Sequence, residues 1–222
     1  MSRRRPAFGA FAIVSVALVS FVLVDRSSAT SGHGASRMPA IKASTSPTAP
    51  SGPPDMSDSP DRLPRAEQVG LGDGDGVVPA GVTVFDDEHP AVGKLDPALL
   101  AALRRAATSA AHDGITLYVD SGWRSRAYQA QLLRSAIAKY GSAREAARWV
   151  ATPDTSAHVS GDAVDIGHAR AAAWLSRHGA AFGLCRIYAN ESWHFELRPN
   201  AVTNGCPRMY ADAAHDPRMQ RA

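Results

Sequence analysis

Apolar residues in the second half of the chain recur with two periods, and the switches between them mark out the elements. Leu99, Leu100, Leu103 and Ala107 fall at helical spacing behind Asp96-Pro97, a cap followed by proline at the first helical position, and predict an amphipathic helix ending near Gly114. Ile115 to Val119 alternates and is rich in strand formers, leading into Asp120-Ser-Gly-Trp-Arg124-Ser. A second helix is predicted from about Arg126 to Tyr140, with Leu132, Leu133 and Ile137 inward and Gly141 at its stop. Ser142-Ala-Arg-Glu145 reads as a capping box that opens a short helix to Val150. Ala163 to Ile166 has the character of a short buried strand, and Ala171, Trp174 and Leu175 predict a helix ending near Gly179. Leu184 to Tyr188 and Trp193 to Leu197 read as two strands joined by a turn at Asn190. The expected class is α+β: a small, largely antiparallel sheet with flanking helices.

The first third of the 222 residues lacks this periodicity. Arg3, Arg4 and Arg5 precede an uncharged, mostly apolar stretch from Ala7 to Val24, the order expected of an export signal. The stretch is long for a cleaved signal and short for a spanning helix, so residues 1–29 are either a removed signal or an N-terminal membrane anchor. Both place the remainder outside the cytoplasm. Residues 30–76 are rich in Ser, Thr, Pro, Gly and Ala, a composition that cannot offset its ordering entropy by burial, and read as a flexible tether. Asp73-Gly-Asp75-Gly76 lacks the later ligands of a calcium loop and reads as a turn. That leaves one folded domain over residues 77–210, expected to be monomeric, and a tail over residues 211–222. The three leader arginines account for the whole formal charge of +3, so no basic stripe is left for nucleic acid.

The chemistry concentrates in Ser156-Ala-His158-Val-Ser-Gly161-Asp-Ala-Val-Asp165 and Glu191-Ser-Trp-His194-Phe-Glu196. Two imidazoles, a carboxylate at fixed spacing from the first and another three residues before the second suit a three-ligand zinc site with one coordination position open and a base beside it. If Val164 and Ile166 are buried, Asp165 emerges on the opposite face, and in Trp193 to Leu197 the residues His194 and Glu196 share the face away from the apolar side chains. Gly161 would let the chain bend His158 back towards Asp165. Glu191 must sit in the turn to reach the site, because on a regular strand it would face away from His194. Metal coordination also explains a carboxylate set in an apolar strand, where an unpaired charge is costly.

Ser-x-His-x-x-Gly-x-Ala-x-Asp followed by Glu-x-x-His, with Ser-Gly-x-Arg-Ser upstream, resembles the VanY-type D-alanyl-D-alanine carboxypeptidases, in the superfamily that also holds VanX-type dipeptidases and the hedgehog domain. The resemblance spans roughly Val77 to Pro207. It implies zinc held by His158, Asp165 and His194, Glu191 as catalytic base, Arg124 polarising the substrate carbonyl, and a peptidoglycan stem peptide ending in D-Ala-D-Ala as substrate. It also points to Ser156 and Gln129 near the substrate.

Blander readings stand beside these. Arg124 could serve as a structural ion-pair partner, Ser156 could cap a turn, and Trp123 and Trp193 read as packing residues. Glu196 is a candidate to orient an imidazole. His33, His89, His112, His168, His178 and His215 read as surface or hydrogen-bonded residues. Cys185 and Cys206, an even pair in an exported chain, favour a disulfide; free thiols or soft metal ligands are the opposing reading. The activities open at this point are a carboxypeptidase, a D-Ala-D-Ala dipeptidase, a wall endopeptidase and, of another class, a non-catalytic zinc-containing wall-binding or hedgehog-like module.

Overall fold

The computed structural model of the protein describes residues 70–220; the leader, most of the tether and His33 lie outside them. Among the described residues no helix is long and apolar enough to cross a membrane. The α-helices of the described residues are α1 (Pro90–Gly93), α2 (Pro97–His112), α3 (Arg126–Tyr140), α4 (Ala143–Ala146), α5 (Ala157–Ser160), α6 (Ala169–His178) and α7 (Ala201–Asn204). Four strands, β1 (Val119–Ser121), β2 (Ala163–Ile166), β3 (Leu184–Arg186) and β4 (His194–Leu197), form one antiparallel sheet in the order β1-β2-β4-β3. The α+β expectation and its antiparallel sheet are observed.

Asp96 starts α2 as its spacing requires: Oδ1 accepts from the backbone N–H of Ala98 and of Leu99, both at 2.9 Å. The face bearing Leu99, Ala102, Leu103, Ala106 and Ala110 is then buried against Val164, Ile166 and Phe195 of the sheet. Helix α6 adds Trp174 and Leu175 to the same core, and its Trp174 indole donates to Asp113 just past the end of α2 at 2.7 Å. Each fully buried Leu, Ile or Phe contributes about 1.5–3 kcal/mol of transfer free energy, so this layer fixes which face of β2 and β4 looks away from the core.

Several boundaries differ from the pattern. The ladder strand begins at Val119, not Ile115: Ile115 donates back to the Ala110 carbonyl at 3.0 Å, Tyr118 bridges Thr83 outside the sheet, and Val119 donates to the Val82 carbonyl at 2.9 Å. On α3 the buried side chains are Tyr128, Gln129, Leu132 and Ala136; Leu133 and Ile137 are only half covered, by a smaller cluster with Tyr140 and Trp149. Strand β3 stops at Arg186, and Tyr188 instead bridges Tyr210 in parallel. The segment from 210 onward, a tail by its pattern, packs back on the domain, with Asp212 and Asp216 buried. At the other end the Asp73 to Asp75 turn is seated too: Ser125 donates to the Asp75 carbonyl (2.9 Å) and to its carboxylate (2.8 Å). Cys185 and Cys206 are joined by a disulfide.

Candidate active site

Strand register assembles the site. Asp165 of β2 lies opposite His194 of β4 on one side and Ser121 of β1 on the other, so the three side chains stand together on the sheet face away from the core. His158 comes from the single turn of α5, which ends at Gly161 with φ +83°. A Cβ at Gly161 would lie 2.5 Å from the Lys94 carbonyl oxygen, so both the backbone conformation and the close approach require glycine. Glu191 occupies the turn between β3 and β4 and is 2% exposed.

Among the described residues, His158, Asp165 and His194 form a group close enough to hold a metal, with one donor atom from each within 4.8 Å of the others. The pairwise distances fit a particular ion geometry. His158 Nε2 is 3.3 Å from His194 Nδ1, His194 Nδ1 is 3.2 Å from Asp165 Oδ1, and His158 Nε2 is 3.5 Å from Asp165 Oδ2. Tetrahedral zinc with bonds of about 2.0–2.1 Å needs donor–donor edges of roughly 3.3–3.4 Å, which is the separation of the two imidazole nitrogens, while Asp165 turns one oxygen to each imidazole. The residues present therefore fit zinc. Glu191 Oε2 lies 3.6 Å from His194 Nδ1, on the same side as the other donors.

The imidazoles are oriented from behind. His158 Nδ1 donates to the Gly122 carbonyl at 2.8 Å, which leaves Nε2 with its lone pair towards the site. His194 turns Nδ1 to the site and Nε2 to Glu196 Oε1 at 3.3 Å. Burial, followed by the Arg124 charge, holds the His158 pKa below 6.5 despite Asp165. Burial also opposes charge on His194, but hydrogen bonds to Asp165 and Glu196 and the charge of Glu191 outweigh it and raise its pKa to about 10. For Asp165 burial favours the neutral acid, yet the charge and hydrogen bond of His158, the hydrogen bond of His194 and the Arg124 charge outweigh it and hold its carboxyl well below the usual range.

Arg124 is 2% exposed and borders the pocket. Its Nη2 donates to Asp165 at 2.9 Å, Nε to Ser121 Oγ at 2.7 Å and Nη1 to Gln129 Oε1 at 3.1 Å. The ion-pair reading of Arg124 is thus realised, and the guanidinium still faces the pocket. Gln129 spends its other end on the Ala151 carbonyl at 2.8 Å, so it orients Arg124. Ser156 precedes α5 but makes no capping bond; its side chain is buried in the pocket wall. Trp149, and neither Trp123 nor Trp193, borders this pocket, together with Val150, Tyr188, Ala213 and Met219. Lys94 sits 3.8 Å over the Trp123 ring.

A family model for VanY, described as D-alanyl-D-alanine carboxypeptidase, matches residues 93–199, a span holding Arg124, Ser156, His158, Asp165, Glu191 and His194. Residues 93–199, just under half of the chain, are thus similar to the VanY family. A D-alanyl-D-alanine carboxypeptidase of Enterococcus faecalis is 32% identical over 108 residues, covering 37% of this chain and 40% of that protein, so the chain spans less than half of its relative. Similar solved structures include a mutant of the vancomycin-resistance D,D-pentapeptidase VanY in complex with Zn(II) (27% identity, 46% of this chain and 72% of that one, TM-score 0.44). Others are VanYB in complex with D-Alanine-D-Alanine (26%, 50% and 74%, 0.46) and the L,D-carboxypeptidase DacB of Streptococcus pneumoniae (25%, 50% and 71%, 0.42).

Of the other described histidines, His112 is exposed at the end of α2 and four are engaged elsewhere: His89 with Asp73, His215 with Asp212, His168 against the Tyr118 ring and His178 against Trp174. Sequence reasoning missed two neighbours of the site, Tyr188 and, from beyond residues 93–199, Arg218. Tyr188 sets its ring 5.1 Å from that of His194, tilted by 36°, and Arg218 grips Glu196 with Nη1 at 2.7 Å and Nη2 at 3.0 Å. No local pattern marks Arg218, because its partner lies 22 residues away.

Proposed function

We propose that this protein is an extracytoplasmic zinc carboxypeptidase that removes the C-terminal D-alanine from peptidoglycan stem peptides. The observation that carries the reading is the convergence of His158, Asp165 and His194 at 3.2–3.5 Å with the Glu191 carboxylate beside them at a pocket. The similarity to the VanY family supports the substrate class. The Arg3 to Arg5 cluster ahead of the apolar 7–24 stretch supports export, with the tether giving the domain reach into the wall.

His158 Nε2, His194 Nδ1 and Asp165 would hold the ion. Bound there, zinc polarises the scissile carbonyl and lowers the pKa of a coordinated water to about 7. Glu191 accepts the proton of the attacking water and hands it to the departing D-alanine nitrogen, which lets one carboxylate serve as base and then acid. Arg124, held at three points, keeps a positive charge where the carbonyl oxygen becomes negative; loss of one such donor typically costs about a hundredfold or more in rate. Gln129 and Ser121 fix that guanidinium, and Ser156 offers a hydroxyl to the substrate from the pocket wall. Small apolar side chains at Val150, Ala157 and Ala213 suit a methyl group.

The test is to incubate the zinc-loaded chain with a stem pentapeptide and, separately, with free D-Ala-D-Ala. Release of one D-alanine from the pentapeptide alone is expected. Cleavage of the free dipeptide alone would make it a dipeptidase, and no cleavage of either by a zinc-replete chain would leave a non-catalytic module.

A further inference from the structure

The most extensive set of buried charges outside the metal group belongs to the C-terminal segment, which the VanY-family span of residues 93–199 does not include. This segment crosses behind the site. Tyr210 donates its N–H to the Ile187 carbonyl and accepts from Ala189, both at 2.9 Å, so the segment is tied to the end of β3. Asp216, fully buried, accepts from the Tyr188 hydroxyl at 3.0 Å and from Arg218. Arg218 then reaches Glu196 with both terminal nitrogens, at 2.7 and 3.0 Å. Met219, next in the chain, borders the active-site pocket.

Glu196 is 1% exposed and is the group that meets His194 Nε2. A glutamate carboxylate, set by three torsions, has no fixed direction of its own. Arg198 contacts one of its oxygens, at 2.7 Å, whereas Arg218 takes both oxygens in a planar fork. The fork fixes the plane of the carboxylate, and the carboxylate meets Nε2 of His194, which leaves Nδ1 facing the site. The same segment, through Asp216, secures the Tyr188 ring against the face of His194. Two of the supports of this imidazole thus depend on residues 210–220.

We infer that Arg218 is a positioning residue for the metal site: delivered by the C-terminal segment, it clamps Glu196 so that His194 presents Nδ1 to the ion. The inference rests on the zinc reading given above. An outer partner of a metal-bound imidazole is typically worth about 10–100-fold in metal affinity.

The full chain, wild type, Arg218→Ala and Arg218→Lys, is titrated with zinc against a chromogenic chelator, and the His194 ring nitrogens are followed by 15N NMR in the same samples. Expected are zinc binding about 10–100-fold weaker in Arg218→Ala, a smaller loss in Arg218→Lys, which keeps the charge without the fork, and altered His194 ring shifts in both, with unchanged far-UV circular dichroism. A folded Arg218→Ala chain with wild-type zinc affinity and unaltered His194 shifts overturns the inference. If Arg218→Ala does not fold, Arg218→Lys decides: affinity and shifts equal to wild type overturn it, and a loss of several-fold with altered shifts supports it. A wild-type chain that binds no zinc would instead remove the zinc reading itself.

Discussion

Asp165→Asn separates the ion pair at the site from the metal. In excess chelator Asp165 is the buried partner of Arg124, 2.9 Å from Nη2 with side-chain exposures of 2% and 3%, and it also meets both imidazoles. The amide keeps the size and one acceptor oxygen but removes the carboxylate charge 2.9 Å from that guanidinium. Ser121 and Gln129 stay as neutral partners. Removing one member of a buried pair typically costs about 3–5 kcal/mol, because the other charge is left uncompensated. Two neutral hydrogen bonds offset part of that, so about 3 kcal/mol is expected. For a domain of this size each kcal/mol moves the midpoint by roughly 2–4 °C, giving a fall of about 6–12 °C. The assay is thermal unfolding of both chains by circular dichroism, with and without chelator. The substituted chain should melt lower even in chelator, and zinc should raise the wild-type midpoint while leaving the variant nearly unmoved. A variant that melts within about 2 °C of wild type in chelator would refute the claim that Arg124 depends on Asp165.

Glu191→Gln should lower kcat by about 10²–10⁴ while zinc affinity stays within a few-fold, measured by stem-peptide turnover and chelator competition; undiminished turnover would remove its role as base. Opening the Cys185–Cys206 bridge, whose sequence separation is 21, by the double serine substitution should cost about 3 kcal/mol in urea unfolding, and equal midpoints would show that the loop is held by other contacts. Asp212 and Asp216 are buried, which favours their neutral forms, but hydrogen bonds from His215 and Arg148 to the first and from Arg218 to the second outweigh burial and hold both below 3.8. A depressed folded-state pKa contributes stability above about 4 that is lost as pH falls further, so unfolding in chelator should become steeply easier below pH 4, and Asp212→Asn should flatten that slope.

The lines of the fold that depend on local physics were readable from residues alone. Asp96 and Pro97 set the start of α2 through satisfied N–H groups, and Gly141 marks the end of α3 in a left-handed cap. Alternation in β2 and β4 already put Asp165, His194 and Glu196 on one face, and odd spacing already required Glu191 to sit in the turn, as found. Where neighbours distant in sequence decide, the pattern misled. The run from Ile115 starts against the end of α2 and pairs Tyr118 with Thr83 before it joins the sheet, and Tyr188 leaves β3 to meet Tyr210. Gln129, read as a substrate contact, does line the pocket, and its amide also meets Arg124 and the Ala151 carbonyl, contacts that no local pattern marks.

What the sequence determined by itself is the donor set and its sidedness, because residue type and the two-residue period of a strand are local properties. Only the tertiary structure decided the 3.2–3.5 Å spacing of the donors, the nitrogen each histidine presents and the return of Arg218 to Glu196. Those depend on strand register and on a segment that closes back across 22 residues, and such contacts are fixed by what the whole core buries rather than by any neighbour in the chain.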